Sequence, residues 1–211
     1  MICDNITAAA GRLRFAGRDA GELARQYGTP LYLMDEGRLR QNCRVYRESM
    51  SAHFSRALPL YASKALSCRR VYEIVAEEGL GADVVSAGEI AMTKSAGFPM
   101  EKVFFHGSAK TDEEIACAMD SGVGVFILDN PEELRAVERL AGERGLRQRV
   151  LLRLTPGIDP HTFEAVATGK VDSKFGQSIE TGQAMAFTLS ALDAPHIDLR
   201  GFHAHVGSQV F

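Results

Sequence analysis

Lys64, Asp83, His106, Arg153, His203 and His205 stand where short apolar runs of this sequence give out, and their side chains are suited to chemistry. Lys64 follows Leu-Tyr-Ala-Ser. An ammonium group is costly to bury unless something pairs with it or uses it. Two readings are open: a surface lysine just past a strand, or a lysine in a desolvated mouth that loses its proton and attacks a carbonyl carbon. His203 and His205 are two apart, so on a strand both point the same way. That spacing also suits metal ligands, but no third Cys, His or carboxylate follows at a ligand-like interval, which favours hydrogen-bonded histidines and no metal. Asp83 either caps the next helix or pairs with Lys64 or Arg153, since an unpaired carboxylate inside "GADVVS" would be expensive. Arg153 alternates with Leu152 and Leu154 and is expected to face away from them. Glu89 lies early in a helix, where attraction to the helix N-terminus explains it as well as catalysis does. Ser208, after Gly207, is either a turn serine or a small residue beside free N–H groups that admit an anion. His106 and Lys110 in "FFHGSAKT" have weaker claims, and Lys110 reads as a solvated loop residue.

The elements that must position these groups alternate. The runs 30–35, 58–63, 81–86, 102–107, 123–129, 149–155 and 199–207 read as buried strands. Segments with helical spacing, such as "SAGEIAMTKSAG", "TDEEIACAMDSG" and "NPEELRAVERLAGERG", lie between them and open on a Ser, Thr or Asn cap. Strands alternating with helices imply a parallel sheet. A repeat of about twenty to twenty-five residues suits a (β/α) barrel, with an open doubly wound sheet as the competitor. Two features favour the barrel: no strand-linked GxGxxG turn is present, and polar residues collect at the ends of many strands. The polar, Gly-containing stretch 156–178 reads as an active-site loop.

Bulk properties narrow the classes. The 211 residues carry a formal charge of -3 and 45% hydrophobic residues, enough for one sizeable core. There is no basic run to grip nucleic acid and no segment apolar enough to cross a bilayer. The first residues lack the pattern of a secretory leader, so a cytoplasmic location is the default expectation. Cys3, Cys43, Cys68 and Cys117 are scattered without ligand spacing and read as reduced thiols.

The segments "YASKA", "GADVVSAGE", "FFHGSAKT", "LLRLTPGID", "DSKFG" and "GFHAHVGSQ" occur in an order and spacing that resemble the ornithine, arginine and diaminopimelate decarboxylases, a family dependent on pyridoxal 5'-phosphate (PLP) with an alanine-racemase-type barrel. Within it the resemblance is to the diaminopimelate decarboxylases, from about Tyr27 to Phe211. The resemblance implies an α/β fold: a PLP-binding (β/α)8 TIM barrel, incomplete in this chain, with the C-terminal β domain absent. Residues 1–25 would be an N-terminal segment associated with that β domain, expected to lack order here, and residues 26–211 a partial barrel domain. It implies that Lys64 holds PLP covalently, that His205 stacks on the cofactor ring and that Ser208 helps bind its phosphate. Asp83, Glu89 and Arg153 would lie close to the cofactor and Lys64. The implied activity is decarboxylation of meso-2,6-diaminopimelate to L-lysine, the last step of lysine biosynthesis, in a cytoplasmic homodimer acting on a small amino acid. Ornithine, arginine or carboxynorspermidine as substrate, or a non-catalytic PLP-binding relative, are the alternatives. The family's later glycine-rich phosphate loop and dimer-donated segments do not occur in the sequence, so the expectation is a truncated chain, inactive alone.

Overall fold

The computed structural model describes residues 4–158 and 175–207. The chain opens with a three-stranded antiparallel sheet of β1 (Ile6–Ala9), β2 (Arg12–Phe15) and β3 (Arg18–Asp19). Its two connections are tight. Ala10 and Gly11 have φ of 51° and 69°, and Ala16 and Gly17 have 49° and 77°. Positive φ at both central residues makes turns whose twist matches that of the strands they join. The expected lack of order is therefore corrected for residues 4–25. Asp19 accepts a hydrogen bond from the Glu22 N–H at 3.0 Å and starts α1 (Ala20–Tyr27).

Residues 30–34 form no strand, contrary to expectation. The apolar run has the composition of a strand, but a ladder needs a neighbour, and none of the described strands pairs with it. Tyr32 is 99% exposed as a result. α2 (Glu36–His53) follows and is tied to the end of the next helix by Arg40 and Arg44, which meet the Glu78 carboxylate at 3.1 and 2.8 Å.

From there strand and helix alternate: β4 (Leu60–Ala62), α3 (Arg69–Glu77), β5 (Gly81–Val84), α4 (Ala87–Ser95), β6 (Val103–Phe105), α5 (Asp112–Asp120), β7 (Val125–Leu128), α6 (Pro131–Glu143) and β8 (Gln148–Thr155). A short β9 (Gln177–Ser178) pairs with the end of β8, and α7 (Gln183–Asp193) leads to β10 (Ile197–His203). The main sheet has the order β10-β8-β7-β6-β5-β4 and all its pairs are parallel. Neighbours in space follow the chain without a reversal. A doubly wound sheet must reverse at a switch point, so this order is that of a barrel wall, as expected.

The helices begin where the sequence places them because the same device recurs. Ser86, Thr111 and Asn130 each accept a hydrogen bond from the backbone N–H of a glutamate three residues on, at 3.3, 3.2 and 2.8 Å. Those glutamates reach back to backbone N–H groups of Val85, Thr111 and Asp129 at 2.7, 3.1 and 2.8 Å. Two otherwise orphaned donors are thus satisfied at each helix start. The core lies between sheet and helices, where Val84, Phe105, Phe126 and Leu152 meet Val75, Ile90, Ile115 and Val137, all fully buried. Phe105 and Phe126 pack edge to face at 5.5 Å. At the entry to β7 a Cβ on Gly124 would lie 2.1 Å from the Glu101 carbonyl oxygen, so only glycine lets the backbones approach. Cys43, Cys68 and Cys117 are free thiols. Among the described residues no helix is long and apolar enough to cross a membrane.

Candidate active site

At the C-terminal ends of the parallel strands lies a cavity of about 250 Å³, lined by Lys64, Asp83, His106, Arg153, His203 and His205 among others. Lys64 sits in a short 3₁₀ turn, Ser63–Ala65, directly after β4. The Tyr61 hydroxyl donates to the Leu66 carbonyl at 2.9 Å and closes that turn. Lys64 is exposed and lines the cavity, so it combines the two readings: the turn lifts it off the strand end into the mouth.

Asp83 lies within β5 between Ala82 and Val84, both fully buried against the helices, so the strand's alternation turns its carboxyl to the cavity. Among the described residues Asp83 forms no ion pair with Lys64 or Arg153. The nearest cationic candidate is His106, whose Nε2 lies 3.5 Å from Asp83 Oδ1, too far for a hydrogen bond. Asp83 Oδ1 is left buried without a hydrogen-bond partner among the described residues. Burial pushes the Asp83 carboxyl up to about 6, with Lys64 opposing and Glu89 adding to the rise. His106 follows β6 and its ring meets that of His203 edge to face at 4.6 Å. Burial lowers His106 to about 3 and His203 to about 4, so both imidazoles are neutral at pH 7. His203 Nδ1 is likewise buried without a hydrogen-bond partner among the described residues. His205, just past β10, lines the same cavity, and partial burial lowers its pKa as well.

Arg153 projects from β8 into the cavity while Leu152 is buried on the opposite side, as the alternation predicts. Its guanidinium lies over the Phe175 ring at 4.5 Å and donates to Asp129 Oδ1 at 3.3 Å. Glu89 is not among the lining residues but is near enough for its charge to act on Asp83, and it braces the wall by accepting from the Val85 N–H at 2.7 Å. Ser208 and most of the expected loop 156–178 lie outside the described residues; residues 177–178 form β9. Among the described residues no group of three or more His, Cys, Asp or Glu side chains is placed to hold a metal ion.

Lys110 is the largest departure from expectation. It is not solvated: its side chain is 1% exposed and its ammonium donates to the carbonyls of Gly107 and Ile127 at 2.7 and 2.8 Å and to the Glu133 carboxylate. Burial pulls the Lys110 pKa down and the Glu133 pKa up, and their mutual attraction opposes both. Asp129 and Glu133 escape sequence reasoning for the same reason. Their partners come from neighbouring strand-helix units, and adjacency is visible only once the strand order is known. The one local signal is Glu133 three residues after Asn130, which marks a helix start and nothing more.

The family model described as "Pyridoxal-dependent decarboxylase, pyridoxal binding domain" matches residues 36–211. A diaminopimelate decarboxylase of Actinosynnema pretiosum subsp. auranticum is 45% identical over 200 residues, which cover 95% of this chain and 44% of the relative. That of Bacillus subtilis is 40% identical over 201 residues, 95% of this chain and 46% of the relative. The crystal structure of diaminopimelate decarboxylase from M. jannaschii in complex with L-lysine superposes with a TM-score of 0.87 at 33% identity, over 98% of this chain and 48% of that one. The chain thus spans under half the length of these relatives. With its parallel barrel wall and a lysine in the cavity at the strand ends, it belongs to the pyridoxal-dependent decarboxylase family and carries that family's pyridoxal-binding domain.

Proposed function

We propose that this chain is the cofactor-binding part of a diaminopimelate decarboxylase, which converts meso-2,6-diaminopimelate to L-lysine and carbon dioxide. The observation that carries the reading is the meeting of Lys64, Arg153, His203 and His205 in one cavity at the strand ends. The residues present fit PLP. Asp83 Oδ1 and His203 Nδ1 are buried polar atoms in need of partners, which a polar heteroaromatic guest supplies. Arg153 is a cation that suits its phosphate, and Lys64 is an amine that can join its aldehyde. In this reading Lys64 carries the cofactor covalently, His205 stacks on its ring and Ser208 contributes to phosphate binding. Bound there, PLP supplies an electron sink for the pair released when the bond to the carboxylate breaks.

The chain's own groups do the rest. Asp83, with its carboxyl raised to about 6, can hold a proton beside Lys64 at Oδ1. The neutral His106 and His203 line the cavity without adding positive charge that would hold the carboxylate back. Glu89 fixes the backbone between Asp83 and the helix start. The names of the relatives favour diaminopimelate over ornithine, arginine or carboxynorspermidine. A cytoplasmic homodimer belongs to the same reading by resemblance. The test uses the full-length protein with PLP, offering meso-diaminopimelate, ornithine and arginine in parallel beside a Lys64→Ala control. Lysine release that the control lacks is expected; the decarboxylated amine of ornithine or arginine without lysine release would replace the substrate, and no turnover of any of them would sink the reading.

A further inference from the structure

A buried lysine ammonium costs several kcal/mol unless every donor is met. Lys110 meets that condition with acceptors from three segments: the Gly107 carbonyl of its own loop, the Ile127 carbonyl of β7, and the Glu133 carboxylate on α6. The other oxygen of Glu133 accepts from the Asp129 N–H at 2.8 Å. The Asp129 carbonyl accepts from Gln177 Nε2 at 3.3 Å, and Asp129 Oδ1 receives Arg153 Nη1 at 3.3 Å. The chain of contacts begins at an enclosed cation and ends at a guanidinium in the Lys64 cavity.

We infer that Lys110 is a positioning residue for that cavity: through Glu133 and Asp129 it fixes the direction of the Arg153 guanidinium, and through the Gly107 carbonyl it fixes the adjacent wall. The inference rests on the proposed function only in taking the cavity as the cofactor site. Arginine recognises an anion through a rigid fork, so its orientation matters as much as its charge. A single bond at 3.3 Å aims the guanidinium only if the residue that bears the carboxylate stays in place, so the Asp129 backbone must be held on both sides. Glu133 and Gln177 hold it so. The tripod of an ammonium reaches acceptors on three segments, which the planar fork of arginine does not reproduce. Gly107 completes the wall with φ of 123°, where an L side chain would be strained.

The test is made on the full-length protein labelled with ¹⁵N-arginine, first without cofactor. The Arg153 Nε–Hε signal is identified by its loss in Arg153→Lys. Asp129→Asn and Lys110→Met should each move that signal toward the position of a free guanidinium, and the double variant should move it no further, because both act on one chain of contacts. The dissociation constant for PLP should rise about tenfold in each single variant and in the double. An unmoved Arg153 signal with unchanged PLP affinity in folded Lys110→Met overturns the inference, as do effects that simply add. If Lys110→Met does not fold, Glu133→Gln, which keeps the shape of the site, must show the same shift, and its absence overturns the inference equally. A wild-type protein that takes up no PLP on Lys64 would sink the functional reading, whereas the cofactor-free Arg153 signal judges the positioning role by itself.

Discussion

Lys64 and Lys110 both follow strands of the same sheet, one after β4 and the other in the loop after β6, and they have opposite surroundings. Lys110 is enclosed and satisfied by three acceptors. Lys64 is exposed to a cavity, and no hydrogen bond or ion pair holds its Nζ among the described residues. Burial distinguishes these lysines in the direction opposite to a simple expectation. The buried one is committed to holding its neighbours in place, because its partners make burial tolerable and occupy every donor. The open one is the candidate for chemistry because its donors are uncommitted and two groups of the same cavity, Asp83 and His203, are themselves short of hydrogen-bond partners among the described residues. A lysine at a strand end becomes available through what fails to bind it.

The largest expected effects break or confirm that contrast directly. Lys64→Ala in the full-length protein should abolish turnover and leave stability within about 0.5 kcal/mol of wild type, since an exposed side chain without partners is removed. Lys110→Ala should cost about 3–5 kcal/mol, because it strands the Glu133 carboxylate in the interior. Urea unfolding of the cofactor-free proteins measures the second effect. Borohydride reduction with peptide mapping measures the first: a pyridoxyl label on Lys64 in wild type and in any Lys110→Ala that folds. Equal stability losses, or a label on Lys110, would erase the distinction.

The same contrast shows what the sequence discloses and what it withholds. Strand ends at Lys64, Asp83, Arg153 and His203 were legible because alternation is a local property: a residue flanked by two leucines or by Ala82 and Val84 must face the other way. Helix starts at Ser86, Thr111 and Asn130 were legible for a similar reason, since cap and glutamate lie three residues apart. Lys110 was not, because its partners Ile127 and Glu133 lie 17 and 23 residues away and become neighbours only through strand order. Residues 30–34 misled in the opposite sense. Their composition is that of a strand, but pairing is a tertiary property that composition does not contain. The N-terminal hairpins were hidden by alanines at positive φ, where Asn or Asp would have announced the turns.

A smaller effect sharpens the picture of the ground on which Lys64 stands. His106 and His203 have pKa values lowered by burial to about 3 and 4, below the ordinary value near 6.5. The folded protein therefore binds fewer protons than the unfolded chain between those values, and the stability of the neutral imidazoles is lost as pH falls below 6.5. Asp83 acts in the other direction, since its raised carboxyl favours the folded state as pH falls through 6. Two histidines against one carboxyl leave net destabilisation on acidification. His106→Gln should remove about 2 kcal/mol of the loss between pH 7 and pH 5. Thermal unfolding of the cofactor-free protein at both values checks this, and an unchanged pH dependence would show that His106 is not held neutral by the fold.

Ser63 offers the smallest and most local test, one residue from Lys64. The residue is 1% exposed and its Oγ has no hydrogen-bond partner among the described residues. It is the converse of Lys110: buried, polar and unsatisfied. Lys110 repays its desolvation through three acceptors, whereas the Ser63 hydroxyl gives up water and gains nothing in return. The position needs a small side chain, because β4 turns there into the 3₁₀ segment that presents Lys64. It has no visible need of the oxygen. Ser63→Ala keeps the size and removes the orphaned group, so it should raise stability by about 1 kcal/mol with Lys64 still labelled by pyridoxyl. If Ser63→Ala instead lowers stability or prevents labelling, the hydroxyl has a partner in the full-length protein, and the turn under Lys64 is held by a hydrogen bond as Lys110 is, which would narrow the difference between the two lysines to exposure alone.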